Sequence, residues 1–129
     1  MLSLGENCNH QIEAVMPIEL NKREKKLARE LIQKSLQIEC AMFIEETEAL
    51  IDKHKREGKT SHEIYLKLYE KTQTFDKHIA RRYDYLRGST YFLVLLGLVN
   101  DKILSQEDIN RFDEDVRREL LNTSESWDD

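Results

Sequence analysis

Between Pro17 and Gly58 the chain runs forty residues without a proline or a glycine. A stretch that long with no backbone breaker favours one continuous helix, because proline removes a helical donor and glycine costs about 1 kcal/mol in a helix interior. Asn21 stands where a cap is needed, ahead of Lys22, Arg23 and Glu24, and Gly58 supplies a left-handed stop. The pattern predicts a helix of about 36 residues, some 54 Å long at 1.5 Å per residue. Its apolar positions form two adjoining sets, Leu27, Leu31, Ile38, Met42 and Ala49 beside Ala28, Ile32, Leu36, Phe43 and Leu50. One stripe serves a monomer's core, and two predict a second buried surface, for which another copy of the chain is the natural candidate. Leu27, Leu31, Ile38 and Met42 are the expected seam of a homodimer.

After Gly58, the run Thr60-Ser61-His62-Glu63 has the form of a capping box. The next helix carries Ile64, Leu68, Thr72, Phe75, Ile79, Tyr83 and Leu86 on one face. Burial of such side chains contributes about 1.5–3 kcal/mol each, so an Ile79→Lys change is expected to unfold the domain. Arg87-Gly88-Ser89 interrupts the pattern, and residues 91–99 are apolar all round. Only Val94 and Val99 among them are β-branched and no partner strand is visible, which favours a buried helix. Asn100-Asp101-Lys102 turns the chain, and Ser105-Gln106-Glu107-Asp108 caps a last helix with Ile109, Phe112, Val116 and Leu120 on one face. The expected fold is all-α, a long helix plus shorter helices forming a helical homodimer. Pro17 biases Met16 away from helix, so residues 1–20 are expected as a loosely ordered arm, residues 21–121 as a single helical domain and residues 122–129 as a frayed acidic tail.

Function classes thin out quickly. The 129 residues include only Cys8 and Cys40 as cysteines, too few for a disulfide framework. The longest apolar run is nine residues, against about 20 for a membrane helix, and no basic-then-apolar leader is present, so a cytoplasmic location is expected. A carboxylate-bridged metal site needs Glu-x-x-His, but Asn7, Ile51, Lys59 and Phe75 stand three before the four histidines. The two Asp-Lys-His triplets, at Asp52 and Asp76, place acid and imidazole about 200° apart around a helix. Gly58-Lys59-Thr60 lacks the earlier glycine of a phosphate loop, because Lys53 occupies that position. Neither a metal, nor a cofactor, nor an enzyme activity is expected. The unusual feature is charge: residues 67–87 carry Lys67, Lys71, Lys77, Arg81, Arg82 and Arg87 against Glu70, Asp76 and Asp84, or +3, in a chain of net charge −5. Lys67, Lys71, His78 and Arg82 fall near one helical face, expected opposite the apolar stripe, where an acidic partner or phosphates would meet them. A basic-faced nucleic-acid-binding dimer is the alternative to a protein-binding one.

Several short motifs add a resemblance. Leu66-Lys67-Leu68-Tyr69-Glu70, then Ile79, Tyr83-Asp84, Ser89-Thr90-Tyr91-Phe92-Leu93-Val94-Leu95-Leu96-Gly97-Leu98, Gln106-Glu107-Asp108-Ile109 and Asp115 resemble the fluorescence recovery protein family of cyanobacterial photoprotection, with one extra residue around Leu86. Gln33-Lys34-Ser35-Leu36-Gln37-Ile38-Glu39 is similar to the family's text in the long helix. The resemblance implies a non-enzymatic helical homodimer that binds the activated orange carotenoid protein and speeds its return to the resting form. Together with the basic face, it gives an expected partner-binding surface of Leu66, Lys67, Tyr69, Glu70, Lys71, Asp76 and Arg81. The family's tryptophan falls on Leu66, its histidine on Tyr69, its aspartate on Glu70 and its arginine on Asp76, a charge reversal for which Lys77 or Arg81 would have to substitute. A relative with a different protein partner also fits these departures.

Overall fold

In the computed structural model, residues 18–128 are described, and every regular element among them is a helix. The order is α1 (Lys22–Arg56), α2 (Ser61–Tyr83), α3 (Tyr91–Asn100), the single turn α4 (Gln106–Ile109) and α5 (Glu114–Asp128). The all-α class is as expected, and α1 has 35 residues. The expected arm lies outside the described residues up to position 17. Leu20, placed in that arm by its sequence, is instead a buried core residue.

The ends of these helices follow from local chemistry. Asn21 Oδ1 accepts the backbone N–H of Glu24 at 2.8 Å, and the Glu24 carboxylate accepts that of Asn21 at 3.1 Å. This reciprocal pair satisfies two of the donors that a helix start leaves without partners. Gly58 ends α1 at φ +76°, with the N–H of Lys59 donating to the His54 carbonyl and that of Gly58 to Lys55. Thr60 and Glu63 form the predicted capping box of α2. Lys102 turns the chain after α3 at φ 61°, a left-handed conformation that costs an L residue roughly 1–2 kcal/mol.

The chain divides into two compact units. In the first, residues 18–32 and 86–128, the start of α1 contributes Leu27, Ala28, Leu31 and Ile32 to a core completed by Tyr91, Phe92, Leu95, Leu96 and Leu98 of α3, Ile109, Phe112, and Val116 and Leu120 of α5. Helices α3 and α5 pack against each other. The expected final helix is in fact two: after α4 the N–H groups of Arg111 and Phe112 donate three residues back, and the helix begins again at Asp113, whose carbonyl accepts from Arg117. The Asp113 carboxylate is held by Arg23 and Asn21, which fixes the restart. Helix α5 then runs to Asp128, where a frayed tail was expected.

The second unit, Gln33–Tyr85, is an antiparallel hairpin of the remainder of α1 and α2. Its apolar stripe is only half covered. Ile64, Leu68, Phe75 and Ile79 are all intermediate in exposure and Tyr83 alone of the α2 stripe is buried. The expectation that this stripe forms a closed core is therefore corrected, because one neighbouring helix cannot cover an amphipathic face. We expect Leu96→Ala in the first unit to cost about 2–5 kcal/mol and Ile79→Ala in the hairpin distinctly less, measured by urea unfolding. Lys102→Gly should raise stability by roughly 1 kcal/mol in the same assay.

Candidate functional site

Within the hairpin, α1 and α2 meet through three successive contacts. Nearest the open end, Glu39 is buried at 8% exposure and takes donors from α2. His78 Nε2 lies 2.7 Å from its Oε1, while the Tyr83 hydroxyl and the Arg82 guanidinium donate to Oε2 at 2.5 and 3.0 Å. Burial raises the Glu39 pKa, but these donors outweigh it and hold the carboxyl below its usual value. Burial and the same contact push the Tyr83 hydroxyl well above the ordinary phenol range. One turn further, Phe43 and Phe75 stack with ring centroids 4.3 Å apart and planes 13° from parallel. Beyond them Lys71 donates to Glu46 at 3.2 Å and stands 5.3 Å above the Phe43 ring.

These contacts leave a groove along one side of the hairpin, lined by Phe43, Glu46 and Leu50 from α1 and by Lys67, Glu70, Lys71, Thr74, Phe75 and His78 from α2. Its floor is aromatic and its α2 wall is mainly basic. Towards the tip a second concavity is lined by His54, Glu57, Lys59, Glu63, Leu66, Lys67 and Glu70. Lys67 and Glu70 belong to both, so four of the seven expected partner-binding residues, Leu66, Lys67, Glu70 and Lys71, are gathered along one wall. Tyr69 lies elsewhere on α2, more than half exposed, and stacks loosely with Tyr65 while accepting a hydrogen bond from Gln73. Asp76 and Arg81 are exposed and line neither concavity.

Two expectations change. The basic face of α2 does not stand free opposite the apolar stripe: Lys71, His78 and Arg82 turn towards α1 and are engaged by Glu46 and Glu39. Placing them there neutralises charge inside the hairpin, and of the four only Lys67 makes no ion pair among the described residues. The four residues expected at a dimer seam lie in different units. Leu27 and Leu31 are 6% and 1% exposed in the first unit's own core and have no surface to offer, whereas Ile38 is half-buried and Met42 is 46% exposed in the hairpin. Phe43 was expected only as part of an apolar stripe and Glu39 only as part of a resembling motif, so neither was assigned to a site. The available signal was a carboxylate set between Leu36 and Phe43 on an otherwise apolar stripe, which on a helix face requires partners.

Among the described residues no group of three or more His, Cys, Asp or Glu side chains converges as a metal site, and no helix is long and apolar enough to cross a membrane. Compared with models of protein families, with curated proteins and with solved structures, the chain matches none.

The Glu39 cluster sets a pH dependence. A carboxyl with a depressed native pKa stabilises the fold above its unfolded value of about 4.3, and that contribution is lost as pH falls through the native pKa. We expect hairpin stability to fall below about pH 4 in the wild type and to be less acid-sensitive, though lower at neutral pH, in Glu39→Gln. Urea midpoints across pH check this.

Proposed function

We propose that the chain is a non-enzymatic, homodimeric helical regulator that binds a protein partner through the hairpin groove, in the manner of the fluorescence recovery protein family it resembles. The observation that carries the reading is the half-covered hairpin: an aromatic floor at Phe43 and Phe75 beside Lys67, Glu70 and Lys71, which the charge pattern and the resemblance together mark for partner contact. Groups that titrate or coordinate are engaged in holding the two helices together, which suits a recognition surface better than a reaction centre.

A second copy is supported by what stays uncovered. Met42, Ile44, Tyr65, Leu66 and Tyr69 are each between 46% and 58% exposed on a hairpin of only two helices. Exposed charge of both signs lies on each helix, with Glu45, Glu48, Asp52, Lys53 and Lys55 on α1 and Glu70, Asp76, Lys77 and Arg81 on α2. A two-fold contact presents the same patch from both copies, so a surface carrying both signs pairs unlike with unlike. Ile38 and Met42, rather than Leu27 and Leu31, then supply the α1 contribution to the seam.

The partner class follows from the resemblance: the activated orange carotenoid protein, or another protein whose surface offers acidic and apolar groups to the α2 wall. Mixing the protein with light-activated orange carotenoid protein should accelerate its red-to-orange return in the dark, with co-elution on size exclusion. Lys67→Glu, at an exposed residue, should weaken capture at least several-fold while leaving the helical content unchanged. No acceleration and no co-elution from a folded protein would remove this partner. Met42→Glu should convert a dimeric native mass to a monomeric one, and a persistent dimer would remove the seam.

A further inference from the structure

We propose that the outer face of the first two turns of α1 is a docking surface for the phosphate backbone of nucleic acid, independent of the hairpin groove. Lys22, Lys25, Lys26 and Arg29 stand at i, i+3, i+4 and i+7, the four corners of one patch on a helix surface. Like charges so placed destabilise a helix by a few tenths of a kcal/mol per pair, so the clustering of charge is a cost to the helix itself. Among the described residues none of the four makes an ion pair. That separates them from Arg23, which is engaged by Asp113, and from Lys71 and Arg82 of α2.

Two of the four are braced rather than loose. Lys25 runs across Gly88 so closely that a Cβ there would stand 3.3–3.5 Å from its Cδ, Cε and Nζ atoms. Arg29 Nε donates to the hydroxyl of buried Tyr91 at 3.4 Å. Bracing long cations beforehand lowers the side-chain entropy lost when they engage an anion.

The chemistry of the face selects the partner. None of the exposed large apolar side chains lies on this stretch of α1. A membrane would need such an anchor, and a protein interface would centre on an aromatic or aliphatic hot spot. A mainly cationic face, with Glu30 beside Lys26 at its margin, suits binding by counterion release. Its corners span about 10 Å along the axis, over which duplex DNA presents about six phosphates. The chain's net charge of −5 does not oppose this, since groups beyond a Debye length of about 10 Å are screened.

The test is fluorescence anisotropy of a fluorescein-labelled 20-base-pair DNA of mixed sequence, titrated with the full chain between 20 and 200 mM salt. We expect binding whose logarithmic salt slope is about −3 to −4, from four cations at about 0.9 each. The triple variant Lys22→Ala, Lys26→Ala, Arg29→Ala should bind at least tenfold more weakly at low salt, with the slope reduced by about 2.7. Circular dichroism verifies folding, and Lys22→Ala, Lys26→Ala with Arg29 retained serves if the triple variant is unfolded, with a slope reduced by about 1.8. Lys53→Ala, at an exposed hairpin residue outside the groove, should leave DNA binding unchanged. Absence of wild-type binding at 20 mM salt, unaltered binding by the variants, or displacement of the probe by polyglutamate as readily as by unlabelled DNA would each overturn the proposal.

Discussion

A helix face can be closed over only by enough neighbouring surface, and the two units meet that constraint differently along one uninterrupted α1. In the first unit the face carrying Leu27, Ala28, Leu31 and Ile32 is sealed by residues from α3, the short α4 turn and α5, and these side chains fall to 6% exposure or less. In the hairpin the continuation of the same helix has α2 alone. Its apolar residues stay half exposed, and beyond Ser35 the buried residue of α1 is a carboxylate, Glu39, with three donors around it. Where apolar coverage is thin, polar and aromatic contacts of defined geometry set the register of the two helices. They also leave the groove whose lining the proposed recognition rests on.

Much of this architecture was legible in the sequence because it depends on local rules. The absence of breakers from residue 18 to 57, the Gly58 stop and the Thr60–Glu63 box are nearest-neighbour effects, and each boundary falls within a residue or two of its expected place. The final helix shows where local reading ends. Ile109, Phe112, Val116 and Leu120 keep a helical spacing across a break, because a one-residue tightening of the turn preserves which face is inward. The break depends on Asp113 being held by Arg23 and Asn21, some ninety positions earlier in the chain.

The candidate site was legible in its composition and not in its orientation. A helical wheel places Lys71, His78 and Arg82 together but carries no information on which direction the neighbouring helix lies. The partners that decide it, Glu39 and Glu46, sit on α1. Leu27 and Leu31 illustrate the converse: two stripes on a long helix read as two interfaces, yet one of them ends where α3 and α5 take over its burial. Assigning the stripe requires knowing which part of the helix each later element reaches.

A single helix shared by a sealed unit and a half-open one has a consequence for motion. Amide protons near Leu27, Leu31 and Ile32 can exchange with solvent only when a closed core opens, whereas those beyond Glu39 are released by separating two helices tied by a few side-chain contacts. Exchange rates along α1 should therefore rise from one end to the other with no break in the hydrogen-bond ladder to mark the change. The groove-bearing end is the one that breathes, and a binder that closes over it would be read out first as a slowing of exchange between Glu39 and His54.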